Sequence, residues 1–382
     1  MSKAVFDVLV AGGGIIGLTT GLQLAQSGRS VAIFDRGNFG QEASWAGAGI
    51  LAPPQTSPNA GPLDRLRAIS IRGLASFSAE LLELTGLDNG YQVCGGLEIP
   101  LDGETAHPWC DTWTEHGIRY EPWSISECRY RFSALCDHSI KGVNCFWLPD
   151  KAQIRNPWHI SALLERLKTL PVSLHPNEAI EEWDKPTEKS VALSAKSGKK
   201  TYHFRNAVIC TGAWTKAISH HLGIMLPITP VKGQIILYQG RTGLIPGIVE
   251  QGKMYLVPRK DGLVLCGSTE EYSGFDKTCN PNSVSHLHHW ATRLVPALKD
   301  CPIVKTWCGL RPGSPDGAPF IGPLPEFPQI MVAAGHFRSG LQLSWGTAHL
   351  ITGMMGGTIS PLDWDAFLPS RPKGFLTSVF QN

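Results

Sequence analysis

The most constraining feature of the sequence is a glycine-rich turn near its start. An uncharged apolar segment ends at Ala11 and passes into residues 12–17, Gly-Gly-Gly-Ile-Ile-Gly, which have the spacing Gly-x-Gly-x-x-Gly. A helical pattern follows to Ala25, and a second apolar segment, 30–34, ends at Asp35. Strand, glycine turn, helix, strand and acid in this order are typical of a βαβ unit that binds a dinucleotide.

Each glycine of this turn has a physical role. Gly12 permits the tight turn, Gly14 lets the backbone approach a pyrophosphate, and Gly17 lets the helix pack closely on the strand. The free N–H groups at the start of the helix favour an anion there, and Asp35 is expected to accept hydrogen bonds from ribose hydroxyls. The predicted ligand contacts of this unit are Gly12, Gly14, Ile15, Ile16, Gly17, Asp35 and Arg36.

The uncharged segment 8–25 also has nearly the length of a membrane span. Asp7 lies directly before it, only Lys3 supplies positive charge, and glycines interrupt the apolar run. A strand follows it, where a signal peptide would have a cleavage site of small residues. We therefore expect neither a membrane span nor a secretory leader.

Composition narrows the class of protein. At 382 residues the chain exceeds the size at which one core stops growing, roughly 250 to 300 residues, so two domains are expected. The net charge is +2 with a pI near 8.0 and there is no basic block, which argues against nucleic acid or an anionic membrane as a partner. Ten cysteines are scattered without a C-x-x-C pair, which predicts reduced thiols and a cytoplasmic protein.

A second motif follows the acid. Residues 42–51, Glu-Ala-Ser-Trp-Ala-Gly-Ala-Gly-Ile-Leu, are rich in small side chains, which suits a backbone that lies against a large flat ligand. Together with the glycine turn and Asp35, this segment resembles the D-amino-acid oxidase superfamily of FAD enzymes, and most of all the bacterial glycine oxidases of the thiamine pathway. The resemblance implies that the segment lines the diphosphate and the flavin ring. The contacts that it implies are Ala43, Ser44, Gly47, Ala48, Gly49 and Ile50.

A third motif, residues 207–214, reads Ala-Val-Ile-Cys-Thr-Gly-Ala-Trp. The resemblance places such a strand beside the first glycine turn, with Gly212 against the cofactor and the backbone of Ile180 near the adenine, which favours FAD over a nicotinamide. The fold class implied is α/β, with a two-dinucleotide-binding, Rossmann-like FAD domain and an inserted α+β substrate domain built on an antiparallel sheet. The expected boundaries are 1–90, 145–225 and 305–370 for the FAD domain, and 91–144 and 226–304 for the substrate domain.

Two later motifs carry the predicted substrate chemistry. Residues 253–259 resemble the family's Tyr-x-Val-Pro-Arg strand, whose tyrosine, here Tyr255, faces the substrate. Residues 309–317 match the family's Gly-x-Arg-Pro-x-x-Pro-Asp-Gly, whose arginine, here Arg311, grips the substrate carboxylate. An arginine at a strand end presents a planar fork that binds a carboxylate through two hydrogen bonds. Core packing of Tyr255 and a structural salt bridge of Arg311 remain as alternatives.

The last motif runs from an apolar strand, 330–334, through a glycine-punctuated turn into a helix that begins at Gly340. The helix N-terminus is expected at the pyrimidine side of the flavin, where it stabilises negative charge. The resemblance also places Arg338 at the substrate end. Ser339 and Trp345 depart from the commonest glycine-oxidase pattern, which leaves the choice of substrate open. The implied cofactor contacts are His336, Phe337, Arg338, Ser339, Gly340, Leu341 and Gln342.

The remaining sequence contributes framework. Hydrophobic periodicity predicts helices and one strand, in chain order a helix over 63–85, a strand over 91–100, and helices over 156–170 and 283–294. Asn156 is expected to be the N-cap of the helix that it begins. His286, His288 and His289 lie on the last of these helices, but no cysteine or carboxylate completes a set of metal ligands nearby. A solvated helix face is therefore favoured over a metal site.

The resemblance implies an FAD-dependent enzyme that deaminates glycine or a small amino acid by oxidation. The amine becomes an imine, water converts the imine to an oxo acid and ammonia, and oxygen is reduced to hydrogen peroxide. Neither Cys210 nor Cys308 has the sequence context of covalent flavin attachment, so non-covalent FAD is expected. No histidine or carboxylate stands out as a base. The resemblance alone suggests a homo-oligomer.

Three alternatives stay open at this point. A dehydrogenase of D-amino acids or sarcosine would pass the electrons to a quinone or another carrier. A flavin-binding subunit would have no catalysis of its own, although the motifs around Tyr255 and Arg311 argue against it. A nicotinamide-dependent dehydrogenase would be colourless.

Overall fold

The computed structural model describes residues 5–57, 60–101, 109–136, 144–184 and 193–371. In chain order the strands are β1 (Val5–Ala11), β2 (Val31–Phe34), β3 (Ile50–Leu51), β4 (Gln92–Val93), β5 (Gly96–Glu98), β6 (Glu121–Trp123), β7 (Cys145–Leu148), β8 (Ala152–Gln153), β9 (Val172–His175), β10 (Glu182–Trp183), β11 (Leu193–Ser197), β12 (Lys200–Ile209), β13 (Thr229–Gln239), β14 (Ile248–Gln251), β15 (Met254–Pro258), β16 (Leu263–Gly267), β17 (Ile303–Gly313), β18 (Phe320–Pro323) and β19 (Ile330–Ala334). The α-helices are α1 (Ile15–Gln26), α2 (Ala43–Ala46), α3 (Pro62–Thr85), α4 (Cys110–Glu115), α5 (Ile125–Arg131), α6 (Asn156–Leu167), α7 (Thr215–His221), α8 (Pro281–Leu294) and α9 (Gly340–Met355). Short 3-10 turns lie at Gly212–Trp214, Pro296–Lys299, Phe337–Ser339 and Pro361–Phe367. None of the described helices combines the length and the apolar character of a membrane span.

The first sheet carries the glycine turn. Its strand order is β10-β11-β12-β1-β2-β9, with β19 beside the end of β12 and β18 beside β19. Strands β1, β2, β9, β12 and β19 run parallel to one another, and the second half of β1 is buried, as its apolar sequence predicts. The strand expected in the third motif is the end of one longer strand, β12. The first half of this strand pairs with β11 and its second half with β19.

Three helices cover one face of this sheet. Helix α1 packs against α9, and α9 packs against α3. Helix α3 is followed by Gly86, which adopts the left-handed conformation with a φ of 70°, and α9 begins at Gly340, as the sequence predicts. Because β1 and β19 are parallel and each is followed by a helix, the N-termini of α1 and α9 lie at the same edge of the sheet. Ligands of parallel sheets bind at this edge.

The second sheet is almost entirely antiparallel. Its strand order is β17-β13-β16-β15-β14-β5-β7-β6, and only the pair of β5 and β14 is parallel. Helix α8 packs on this sheet through Leu287, Trp290 and Ala291. Strands β7 and β17 were expected with the FAD domain, yet they pair within this sheet. Hydrogen bonding therefore places both strands on the substrate side, whereas the division of the chain into domains stays a prediction.

The expected single strand over 91–100 is broken into β4 and β5. Gly95 lies between them with a φ of 68°, and a Cβ at this position would come within 2.0 Å of the Trp147 ring. Strand β4 joins a small sheet of order β3-β8-β4, and β5 joins the second sheet. The prediction of one strand is wrong because this segment hydrogen-bonds to two different sheets.

Helix α6 begins at Asn156, as predicted, but it ends at Leu167, and Arg155 instead of Asn156 is its N-cap residue. Asn156 lies in the first turn, and its Nδ2 donates to Ser44 O at 2.6 Å. The side chain expected to cap the helix therefore holds another loop in place.

The histidines of α8 do not form one solvated face. His286 and His289 are exposed, but His288 Nδ1 lies 2.9 Å from the hydroxyl of Tyr238 in the second sheet. His288 therefore takes part in packing this helix on its sheet.

Candidate active site

One large cavity lies between the first and second sheets. It has a volume of about 680 Å³ and is lined by the glycine turn, by residues 42–50, by the start of α9 and by one face of the second sheet. The structure brings the predicted site residues, with the exception of Gly17, to this cavity. Those residues are Gly12, Gly14, Ile15, Ile16, Asp35, Arg36, Ala43, Ser44, Gly47, Ala48, Gly49, Ile50, Ile180, Gly212, Tyr255, Arg311, His336, Phe337, Arg338, Ser339, Gly340, Leu341 and Gln342.

The glycine turn is required by close packing. Gly12 has a φ of 108°, and a Cβ there would lie 2.3 Å from the carbonyl oxygen of Cys210, just beyond β12. A Cβ on Gly17 would lie 1.8 Å from the carbonyl oxygen of Gly12. Both positions therefore exclude a side chain. Gly17 does not line the cavity, but it lies in helix α1 and packs against the backbone of Gly12.

Two side chains tie the turn to the segments that follow it. Asp35 accepts hydrogen bonds from Gly13 N and Gly37 N, each at 2.8 Å, and Ser44 Oγ accepts from Ile15 N at 2.8 Å. Burial raises the pKa of Asp35 above its usual value, against the lowering effect of the two N–H donors. Ser44 satisfies one of the free N–H groups of α1 that Gly14, lacking a side chain, cannot cap.

Residues 42–50 fold as the short helix α2 and the start of β3, and are anchored to the second sheet. Trp307 Nε1 donates to Ala46 O at 3.1 Å, and Arg259 Nη2 donates to Ala48 O at 2.7 Å. Gly49 has a φ of 77°, and a Cβ there would lie 1.9 Å from Ile154 O. The segment is therefore held against the second sheet and against the backbone after β8, and most of its residues line the cavity.

Arg36 lies beyond the acid at the end of β2. Its guanidinium is 3.6 Å from the centroid of the Trp214 ring, and its Nη2 is 3.1 Å from Glu42 Oε1. A guanidinium over an indole face is a favourable cation–π contact. These contacts link the end of the βαβ unit to the turn after β12 and to the start of residues 42–50.

The turn between β19 and α9 is strained, and its first side chain is buried. His336 is buried with its Nε2 3.0 Å from Thr347 Oγ1, and burial lowers the pKa of His336 to about 3, so the ring is neutral at pH 7. Phe337 has a φ of 47°, which costs energy for a residue other than glycine. The first turn of α9 has no side-chain cap. Its N–H groups are therefore available to a negatively charged group.

Arg311 faces the cavity from β17. Its Nη1 donates to Thr269 O at 3.1 Å and its Nη2 donates to Ser268 Oγ at 2.6 Å. The guanidinium lies over Gly233, where a Cβ would be 2.2 Å from Nη2. Burial lowers the pKa of Arg311, yet it stays positively charged at pH 7. Among the described residues no carboxylate lies within 4.0 Å of it, so the alternative of a structural salt bridge is not supported in that part of the chain.

Tyr255 belongs to a row of side chains that crosses the second sheet. Register pairs Gly267 with Tyr255, Tyr255 with Glu250, and Glu250 with Glu98. Partners in register point to the same face, with Cβ atoms about 5 Å apart, and here that face lines the cavity. Tyr255 is buried and burial raises its pKa, so its hydroxyl is protonated at pH 7.

Arg338 follows the strained Phe337 and lies near the mouth of the cavity. Its Nη1 is 3.6 Å from Glu270 Oε2, and its Nη2 is 3.4 Å from Lys253 O. Glu270 also lines the cavity. The two predicted substrate arginines therefore differ, because Arg338 has a carboxylate partner and Arg311 has none among the described residues.

The cavity has the features that a large dinucleotide requires. Gln55, Asn156 and Gln342 line it, and each retains a buried polar atom with no hydrogen-bond partner within the described structure. Such atoms are rare in folded proteins unless a ligand or water satisfies them. Together with the glycine turn and the uncapped start of α9, they fit a flavin dinucleotide better than a small ligand.

Residues 7–354 match the DAO family model, described as FAD dependent oxidoreductase. The chain belongs to this family. Its cofactor is therefore FAD, and the fold of an FAD domain with a second, substrate-side sheet agrees with the α/β class predicted from the sequence.

Relatives of this FAD-dependent oxidoreductase include proteins named glycine oxidase. The chain is 33% identical to a glycine oxidase of Pseudomonas aeruginosa, over 95% of this chain and 98% of the relative. It is 32% identical to the bifunctional protein ThiO/ThiG of Synechocystis, of which it covers 54%. The solved glycine oxidase of Geobacillus kaustophilus superposes with a TM-score of 0.89, at 27% identity, over 97% of this chain and 100% of that one.

Sequence reasoning missed the carboxylates of the cavity. Lys151 Nζ contacts both Glu98 Oε1 and Glu250 Oε2, and all three residues line the cavity. Burial raises the pKa of Glu98 to about 7. The sequence did contain one signal for them, because Glu98 and Glu250 each lie within a short apolar strand. Their shared contact with Lys151 could not be predicted, because the three residues come from segments that are far apart in the chain.

Proposed function

We propose that this protein oxidises glycine or another small amino acid with FAD and oxygen. The substrate amine becomes an imine, and water converts the imine to an oxo acid and ammonia, while oxygen and two hydrogens from the substrate form hydrogen peroxide. For glycine the products are glyoxylate, ammonia and hydrogen peroxide. The observation that carries this proposal is the Arg311 guanidinium, which faces the cavity with no carboxylate partner among the described residues.

Arg311 would bind the substrate carboxylate through its planar fork. Its two bonds to Ser268 Oγ and Thr269 O fix the guanidinium before the substrate arrives, which reduces the entropy lost on binding. Tyr255 would enclose the substrate from the neighbouring strands, with a protonated hydroxyl as a donor. The chain thus supplies orientation, which can contribute several kcal/mol to catalysis.

Bound FAD supplies the acceptor for the two electrons of the amine. Gly12, Gly14 and Ser44 would hold its diphosphate, and Asp35 would accept from its ribose. The first turn of α9 would lie against the electron-rich edge of its ring. We also propose that the FAD is non-covalent. Cys308, one of the cysteines considered above, has its thiol directed to Lys277 O at 2.8 Å.

A role in the route to thiamine is part of the proposal. It is supported by the relatives named glycine oxidase and by the bifunctional ThiO/ThiG relatives. A cytoplasmic location is supported by the ten cysteines, which are free thiols. Neither the carrier-dependent dehydrogenase nor the non-catalytic subunit has a specific observation in its favour.

The test is anaerobic mixing of the purified yellow protein with glycine, sarcosine and D-alanine in turn, while the visible flavin band is followed. We expect at least one of them to bleach the band, and air to restore it with hydrogen peroxide formed. Bleaching that air reverses only slowly would instead support the dehydrogenase. A band that no amino acid bleaches would overturn the proposed function.

A further inference from the structure

Two of the arginines that line the cavity, Arg311 and Arg338, belong to the predicted substrate region, and they have different hydrogen-bond and ion-pair partners. Arg311 is bound by Ser268 Oγ and Thr269 O, both uncharged. Arg338 Nη1 lies 3.6 Å from Glu270 Oε2. Of these two guanidiniums, only that of Arg338 lies within ion-pair distance of a carboxylate in the described part of the chain.

One short segment, residues 268–270, contacts both arginines. Ser268 and Thr269 supply the acceptors for Arg311, and the next residue, Glu270, supplies the carboxylate for Arg338. The segment is held to β13, because Gln234 N donates to Thr269 Oγ1 at 3.0 Å. The carboxylate of Glu270 is therefore positioned by the same backbone that positions the acceptors of Arg311.

The charges on the two sides of Tyr255 support one substrate carboxylate. On one side, Arg311, Arg338 and Glu270 together carry one net positive charge. On the other side, the row across the sheet continues to Glu250 and Glu98, which share the single ammonium of Lys151 and leave it no unpaired positive charge. A second carboxylate on the substrate would meet either the occupied Arg338 or this cluster, whose one cation is already paired with two glutamates.

We infer that Glu270 is a specificity-determining residue that occupies the Arg338 guanidinium and restricts the substrate region to monocarboxylates. The inference rests on the proposed function, in which Arg311 binds the substrate carboxylate. With Glu270 neutral, Arg338 offers its fork to a second carboxylate. Amino acids with two carboxylates then bind through both arginines.

A purely stabilising role does not account for this pair. The side chains of Arg338 and Glu270 are 29% and 20% exposed, and ion pairs that water reaches contribute little to stability. Glu270→Gln keeps the size and a polar end of the side chain, so this variant is expected to fold and to retain FAD.

The experiment measures the binding of carboxylates to the FAD-loaded protein by the change in its visible spectrum. Acetate is the probe with one carboxylate, and malonate and succinate are probes with two at different separations. We expect Glu270→Gln to raise the affinity for malonate or succinate by about tenfold or more relative to acetate. The reason is that the Arg338 guanidinium becomes available to form charge-assisted hydrogen bonds with the second carboxylate. The same variant should gain turnover of D-aspartate relative to D-alanine.

Two further variants make the test specific. Glu271→Gln removes the neighbouring carboxylate, which pairs with Lys232 at 3.4 Å, and should leave the ratio of affinities unchanged. Adding Arg338→Met to Glu270→Gln should abolish the gain. An unchanged ratio in Glu270→Gln would overturn the inference, and so would an equal gain in Glu271→Gln, which would indicate loosening of the segment.

The inference and the proposed function fail in different ways. If the wild-type flavin is reduced by glycine but Glu270→Gln gains no dicarboxylate binding, the inference falls and the proposed function stands. If no amino acid reduces the flavin while the ratio of affinities shifts as expected, the proposed function falls and the role of Glu270 stands.

Discussion

The two walls of the cavity are built from different atoms. On the FAD side, the wall is mainly backbone: the glycine turn, residues 42–50 and the first turn of α9 present N–H groups and small side chains. On the substrate side, the second sheet presents charged and aromatic side chains, among them Arg311, Tyr255 and Glu250. The FAD wall therefore depends on close backbone packing, and the substrate wall on pairing between side chains.

This difference sets how each wall tolerates change. A Cβ at Gly12 or Gly17 would meet a carbonyl oxygen at 2.3 or 1.8 Å, so any substitution moves the backbone. A substitution at Arg311 or Tyr255 removes contacts while the backbone hydrogen bonds of the strands remain. Changes in the FAD wall should thus cost stability and cofactor together, whereas changes at Arg311 or Tyr255 should cost turnover alone.

The largest expected effect is on the FAD wall. Gly17→Ala should lower the free energy of unfolding by about 3 kcal/mol, at the upper end of the cost of overpacking, and should greatly reduce bound FAD. Thermal unfolding and the absorbance of flavin per mole of protein measure the two losses. Gly61→Ala is the control, because a Cβ there would meet nothing within 4 Å. Normal FAD content in Gly17→Ala would contradict the packing argument.

The next effect is on the substrate wall. Arg311→Met should lower kcat/KM for the best amino acid roughly 100-fold or more, because it removes the buried cation that pairs with the substrate carboxylate. FAD content should remain that of the wild type. If the flavin is lost with activity, Arg311 supports the fold and the contrast between the walls breaks down. Arg311→Lys should recover only part of the loss, because lysine lacks the planar fork.

A smaller change separates the ring of Tyr255 from its hydroxyl. Tyr255→Phe should reduce kcat/KM by about fivefold, the loss of one hydrogen bond worth about 1 kcal/mol. Steady-state kinetics and thermal unfolding should show the activity falling while stability is kept, since the buried ring remains. A loss above about 100-fold would mean that the hydroxyl takes part in the chemistry.

The smallest effect concerns pH. Burial raises the pKa of Glu98 from 4.5 in the unfolded chain to about 7. The folded state holds this proton more tightly, so the stabilisation is complete below pH 4.5 and is lost as the pH rises through about 7. The melting temperature of the wild type, relative to Glu98→Gln, should therefore fall between about pH 5 and about pH 8. Glu165→Gln, at an exposed site, should show no such trend.

The sequence predicted the FAD wall well because its signals are local. The glycine spacing, the acid at the end of β2 and the start of α9 are read from neighbouring residues, and the structure has each of these elements where it was predicted. The predictions that changed involve partners far apart in the chain. Asn156 was expected to cap its own helix and instead holds Ser44 O.

The sequence by itself determined where a dinucleotide can bind, because only glycine tolerates the backbone approach of Gly12 and Gly17. It also indicated Arg311 and Tyr255 through motifs of the family. Only the tertiary structure decided which arginine has a carboxylate partner among the described residues, because Glu270 reaches Arg338 from another segment. It also decided which carboxylates face the cavity. Close local packing restricts the residue types at neighbouring positions, so the sequence shows it. The pairing of charges depends on which distant segments the fold brings together, so the sequence does not.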